Sequence, residues 1–213
     1  MRRMNSITAV MVAVLISTVG AGLAQSNSGH KKTDKLIYSA QQTTSAIRAT
    51  NLQVKKTLES YNYIVEGKAQ DPRVEYKKLV TDLNKCQQSR EDVRTKADKM
   101  QKAADAFFLD WEESLAGYNS DEMRAKSEGR MNETRANYDK IFEAGAKAGK
   151  DFSTFIAALD DQVRFLGNDL NPSAIADLGD EAAALNKQAD DFFKAIDETI
   201  QVAVKYSSSL APQ

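Results

Sequence analysis

The chain has 213 residues and a formal net charge of −1, with 28% charged and 42% apolar side chains, enough for one substantial core. Its 10 Gly and 3 Pro suit long helices, because these residues cost about 1 and 3 kcal/mol in a helix interior, and no alternating run of strand length appears. One Cys and one His exclude an intrachain disulfide, a zinc site of His and Cys ligands and a di-iron centre built on Glu-x-x-His, a motif the chain lacks.

Residues 1–24 read as a secretory signal peptide. Arg2 and Arg3 form a positive start, Ile7 to Val19 is mostly apolar, and Gly22-Leu23-Ala24 offers small residues before a cut at Gln25. An uncleaved anchor would want about 20 apolar residues, more than this run supplies. No Cys lies at the cut, so a lipoprotein anchor is not expected. After cleavage, residues 25–102 hold 16 Lys/Arg against 9 Asp/Glu, and residues 103–213 hold 11 against 21. The opposite signs suit early helices packed on late ones.

Beyond a polar lead-in at 25–32, four helical segments carry apolar residues at alternating spacings of three and four. The first, 33–66, runs its seam through Ile37, Ala40, Thr44, Ile47, Val54, Leu58 and Tyr61, and Gly67 ends it. The second, 72–118, opens on Asp71-Pro72, a cap followed by Pro at the first helical position, and carries Leu79, Leu83, Cys86, Arg90, Val93, Ala97, Met100 and Ala104. The third, 120–170, is capped by Asn119 or Ser120 and follows Met131, Thr134, Tyr138, Ile141, Gly145, Ala148, Phe152, Phe155, Leu159 and Gln162. The fourth, 172–206, opens on Asn171-Pro172 and follows Ile175, Leu178, Leu185, Phe192, Ile196, Thr199 and Ala203, with 207–213 a frayed tail.

Heptads joined by short links predict an all-α fold, an elongated antiparallel four-helix coiled-coil bundle forming a single domain over 33–206. At 1.5 Å per residue the first and last helices would be roughly 50 Å long and the middle two roughly 70 Å. A helix-two/helix-three hairpin should therefore protrude by roughly 20 Å over 104–135. Phe107, Phe108, Trp111, Leu115, Tyr118 and Met123 lie on it, more large side chains than two helices can cover, which makes the tip a candidate partner contact. The alternative is that these aromatics fill the hairpin's own seam.

Little points to catalysis. Cys86 sits on an apolar seam without a His partner and reads as core. Gly145 and Gly149 lie among alanines and suggest close helix approach, and the doublets Glu112-Glu113, Asp160-Asp161 and Asp190-Asp191 read as solvated faces. Arg90 and Gln162 interrupt the seams. Counting back from the turns sets Arg90 level with Asp151, and Asp151 level with Asp190 and Asp191, which suggests a half-buried pairing, against Arg90 simply reaching outward to water. The tip is acidic, so nucleic acid is not expected as a partner.

Two blocks carry a resemblance. Phe108-x-x-Trp111-Glu112-x-x-Leu115-x-x-Tyr118 is followed by Thr134-Arg135-x-x-Tyr138, and then by Asp161-Gln162-Val163-Arg164-Phe165-Leu166 with Asp169-Leu170-Asn171 and Ala174-Ile175. This pattern resembles a bacterial exported family known as domain-of-unknown-function family 2959, most closely from Phe107 to Leu178. The resemblance implies an envelope location and an elongated helical structure, and brings no activity, cofactor or catalytic residue. Members often resemble lipoproteins with a Cys at the processing site, and this chain departs from that. The expected role is a non-enzymatic periplasmic or secreted scaffold or adaptor with a protein partner or a second copy of itself. The alternative is a holdase-like chaperone or lipid-contacting protein using the tip or a cleft between helices, with membrane contact but no anchor.

Overall fold

A computed structural model describes residues 26–209, and the side chains of 31–203; the expected signal peptide at 1–24 and the last four residues of the expected tail lie outside the described residues. The elements are α1 (Ser26–Val65), α2 (Pro72–Leu115), α3 (Asp121–Asn168), a short α4 (Pro172–Ala176) and α5 (Gly179–Ser209). The caps act where the sequence sets them. Asp71 accepts from the Arg73 amide, Ser120 from that of Met123, and Asn171 from that of Ala174. Gly67, at φ 67°, turns the chain out of α1 while the Lys68 amide bonds back to the Tyr63 carbonyl.

Four long helices run alternately up and down, with α1 beside α2, α2 beside α3, α3 beside α5 and α5 beside α1. Contacts fix the register. Thr57 meets Cys86, Phe108 meets Tyr138, Phe152 meets Phe192, and Asn62 exchanges hydrogen bonds with Asn186. The α1–α2 seam is made of small and hydroxyl residues. Thr43, Thr50 and Thr57 are buried there, each hydroxyl bonded to a carbonyl one turn back on its own helix, so the two backbones approach closely. The α3–α5 seam is built from Phe152, Phe155, Leu159, Leu185 and Phe192.

Three expectations are corrected. The polar stretch 26–32 is helical, and α1 lies against the hairpin: Lys32 pairs with Asp110, and Leu36 packs on the cluster of Ala104, Phe108 and Met131. The hairpin is thus flanked by a third helix rather than protruding as two, because a neighbour supplies the contacts that the polar sequence lacks. The fourth segment breaks after Ala176. Leu178 plugs the core at 5% exposure, and the chain restarts at Gly179, a weak helix former. Residues 207–209 continue α5 instead of fraying.

Candidate functional site

Two cores form along this bundle. The larger joins Tyr61, Leu79, Cys86, Phe155, Leu159, Leu166 and Leu185; the smaller, near the tip, joins Ala104, Phe108 and Met131. Between them the helices do not close. Every residue of α2 from 87 to 102, and of α3 from 132 to 147, is at least partly exposed. The space left is a cavity of ≈ 460 Å³ lined by α1, α2, α3 and α5.

Its cause lies in residue size at one level. The register sets Ala40 and Thr44 of α1, Ala97 of α2, Gly145 of α3, and Thr199 and Ala203 of α5 around the same stretch of axis, and all six line the cavity. A Cβ built at Gly145 or Gly149 would meet nothing within 4 Å. These glycines therefore do not serve the close helix approach expected of them; they form open wall. Close approach occurs at Gly167 instead, where the Tyr76 hydroxyl occupies the place of a Cβ and the ring carbon behind it lies at 3.2 Å.

The wall is apolar in chemistry as well as in residue type. Thr43, Thr44, Thr50, Thr134 and Thr199 all line the cavity, and each hydroxyl donates to a carbonyl four residues back at 2.8–3.0 Å. That turns the hydroxyls into their own helices and leaves methyl groups for the interior. Ile37, Ile47, Ile141, Phe107, Phe142 and Ile200 supply the rest of the apolar surface. Arg90 to Phe108 on α2 spans about 27 Å, so the cavity is long as well as narrow. Gln41, Arg90 and Arg94 line it from exposed positions, and Tyr138 is the exception with a buried polar atom. Its buried hydroxyl has no hydrogen-bond partner, and burial, then the nearby charges of Asp105 and Asp139, push its pKa up to about 12.

The tip residues divide. Phe108 is buried, while Phe107, Trp111 and Leu115 pack half-buried against the small core. Trp111 donates its indole N–H to Ser127 at 3.0 Å, and Arg135 lies over the Phe108 ring. Tyr118 and Met123 remain exposed, at 41% and 51%, with Leu109 nearby at 57%. Most of the aromatic stripe thus fills a seam.

The seam pairing also divides. Arg90 is exposed and forms no ion pair among the described residues, and Asp191 pairs with Lys187 instead. Asp151 and Asp190 do not bridge to Arg90, which stands on the cavity wall with Gly149 and Ala146 of α3. Gln162 does tie helices together: its side-chain carbonyl accepts from the Tyr61 hydroxyl, and its amide donates to the Glu181 carbonyl at 3.2 Å. Burial, then Glu181, raises the Tyr61 pKa above its ordinary value.

Sequence reading missed Asp82. This carboxylate is 1% exposed beside Leu83, accepts from Lys56 at 3.2 Å and Ser60 at 3.4 Å, and faces Lys85 at 3.5 Å. Burial alone would raise its pKa. The Lys56 hydrogen bond and the charges of Lys56 and Lys85 outweigh that and hold it below the usual carboxylate value. Cys86, one turn on, contacts the Thr57 hydroxyl at 3.1 Å; burial pushes its thiol up, against the Thr57 hydrogen bond and with the help of Asp82. A raised thiol pKa makes Cys86 a poor nucleophile. Among the described residues no three His, Cys, Asp or Glu side chains gather as metal ligands, and no helix is long and apolar enough to cross a membrane.

A family model described as "Protein of unknown function (DUF2959)" matches residues 23–210. The chain belongs to that family. No curated protein and no solved structure matches it.

Proposed function

We propose that this DUF2959 protein is a non-enzymatic binding protein that holds a long aliphatic chain inside its bundle. The cavity between the two cores carries the reading. Its walls present methyl and methylene groups, its threonine hydroxyls are turned into their own helices, and its length of about 27 Å exceeds the roughly 15 Å that one acyl chain spans in half of a bilayer core. Water finds few partners on such a wall, whereas an alkyl chain gains about 0.8 kcal/mol per buried methylene. The leader-like pattern at 1–24 supports an exported protein, so the ligand would come from the cell envelope.

The scaffold or adaptor role has less support. Its partner surface would be the tip, where Tyr118, Met123 and Leu109 are exposed but the larger aromatics are engaged within the chain.

Diphenylhexatriene, an uncharged rod-shaped fluorophore, tests the aliphatic reading. The full chain should bind about one equivalent with a rise in fluorescence, as expected for one elongated apolar pocket. The variant Ala97→Leu/Gly145→Leu, which fills the cavity where nothing opposes Gly145, should keep its helical spectrum and lose the probe. Absence of binding by the unsubstituted chain, or unchanged binding by a folded filled variant, would remove the proposal.

A further inference from the structure

Charge is unevenly placed along the cavity. Among the described residues that line it, only Arg90 and Arg94 are charged, and they stand one turn apart on α2. Both guanidinium groups belong to exposed residues. Arg90 has no ion-pair partner among the described residues, and Arg94 meets only Glu91, one turn back on its own helix, at 3.7 Å. Ala146 and Gly149 of α3 line the same cavity, exposed and without bulk, and both arginines are exposed as well, so the cavity reaches the surface along this wall.

The other end carries both signs, since the Arg135 guanidinium lies over the Phe108 ring there. Phe107, Phe108 and Tyr138 line the cavity there, and Asp105 and Asp139 lie near enough to act on the Tyr138 hydroxyl. An amphiphile with a negative head would be drawn to the Arg90 end, where the charged residues of the lining are both cations. The arginine end is also where a charged head can stay hydrated, which it must do to avoid the cost of burial. Guanidinium groups suit it further, since they grip carboxylate and phosphate oxygens through paired N–H donors.

Resting on the cavity reading above, we propose that the ligand is a single-chain anionic amphiphile. Its carboxylate or phosphate head sits on Arg90 and Arg94, and its chain runs between the helices toward Phe107 and Phe108. Arg90 and Arg94 are then specificity residues, and the interior supplies the bulk of the affinity.

The test is displacement of diphenylhexatriene from the full chain by palmitate, by a palmitoyl lysophosphatidate and by hexadecanol. An anionic ligand should displace the probe at about a tenth of the hexadecanol concentration, the effect of one charge-assisted pairing. Arg90→Gln/Arg94→Gln should abolish that advantage and leave hexadecanol and the probe unaffected; Arg90→Lys/Arg94→Lys should retain most of it. Preference for lysophosphatidate over palmitate would make the head a phosphate, and the reverse a carboxylate. Equal displacement by hexadecanol and both anions would overturn the head-group assignment while leaving the cavity reading intact. Failure of the probe and of all three ligands to bind would bring down both.

Discussion

Near the Gly67 turn, Tyr61, Leu79, Phe155, Leu159 and Leu185 from four helices meet at essentially zero exposure. Farther along the same helices the seam positions are held by Ala40, Thr44, Ala97, Gly145 and Ala203, and the interior opens into the cavity. Both regions follow the same heptad spacing, so spacing is not what separates them. Size at matched levels is. Large residues at one level give a dry, jigsaw-packed core, and small residues at one level give space that the backbone does not collapse to fill. Collapse is held off by a core on either side, the second one nailed down by Phe108 and Met131.

Truncating large side chains in the two regions is expected to show the biggest contrast. Phe155→Ala, in the closed core, should cost about 4 kcal/mol, a fall in Tm of about 10 °C for a chain of this size. Ile141→Ala, on the cavity wall and already half-exposed, should cost about 1 kcal/mol. Paired thermal and denaturant melts would measure both. Equal losses would mean that the cavity wall is packed as tightly as the core.

The polar side of the closed region gives the next effect. Asp82→Asn removes a charge that Lys56 and Lys85 solvate, and since both lysines are half-exposed the cost should be about 1–2 kcal/mol. The folded-state pKa of Asp82 is depressed, so the unfolded chain takes up its proton first as pH falls. Its contribution is therefore full above the ordinary Asp value of about 3.9 and is lost as pH drops through the lower folded value. Stability measured from pH 6 downward should fall less steeply in Asp82→Asn than in the unsubstituted chain; parallel curves would mean that Asp82 is not held in its charged form.

How much of this could be read from the residues alone follows from the same contrast. The helices, their caps at Asp71, Ser120 and Asn171, and the turn at Gly67 depend on neighbours in sequence and were legible. So was Gln162 as a polar member of the seam, because polar residues at heptad positions stand out. The cavity was not. Ala40, Ala97, Gly145 and Ala203 are each unremarkable within one seam, and only the register between helices brings them to one level. The pairing of Arg90 fails for a related reason: counting from the turns sets the level of a residue but not its partner, and Arg90 stands exposed without an ion pair among the described residues while Asp191 pairs with Lys187. Asp82 escaped notice because an Asp beside a seam leucine looks solvated until the small α1 residues Thr57 and Ser60 let α2 approach closely enough to bury it.

Two glycines of α3 sharpen the comparison at a smaller scale. Gly145→Ala meets open space and gains helix propensity, so it should stabilise by about 0.5–1 kcal/mol. Gly167→Ala gains the same propensity but drives its methyl into the Tyr76 ring, which is itself packed against the core, and should destabilise by about 1 kcal/mol. Adding Tyr76→Phe, which removes the nearest atom, should recover part of that loss. If both alanines stabilise alike, Tyr76 swings aside freely and that end of the bundle is looser than its core suggests.

The smallest contrast concerns two tyrosine hydroxyls. That of Tyr61 donates to Gln162 within the closed core, whereas that of Tyr138 is buried without a partner beside the cavity. Removing a hydroxyl from a satisfied pair strands the acceptor, so Tyr61→Phe should cost about 1 kcal/mol. Removing one that is already stranded relieves a penalty, so Tyr138→Phe should leave stability unchanged or raise it by up to about 1 kcal/mol. Spectrophotometric titration ties the sign to the site: the Tyr138→Phe spectrum should lack the phenolate that forms near pH 12 in the folded chain. The same variant reports on the ligand. With the anionic head at Arg90 and only hydrocarbon near residue 138, Tyr138→Phe should bind palmitate as the unsubstituted chain does. A loss of affinity there would place a polar group of the ligand on the Tyr138 hydroxyl and reverse its orientation in the cavity.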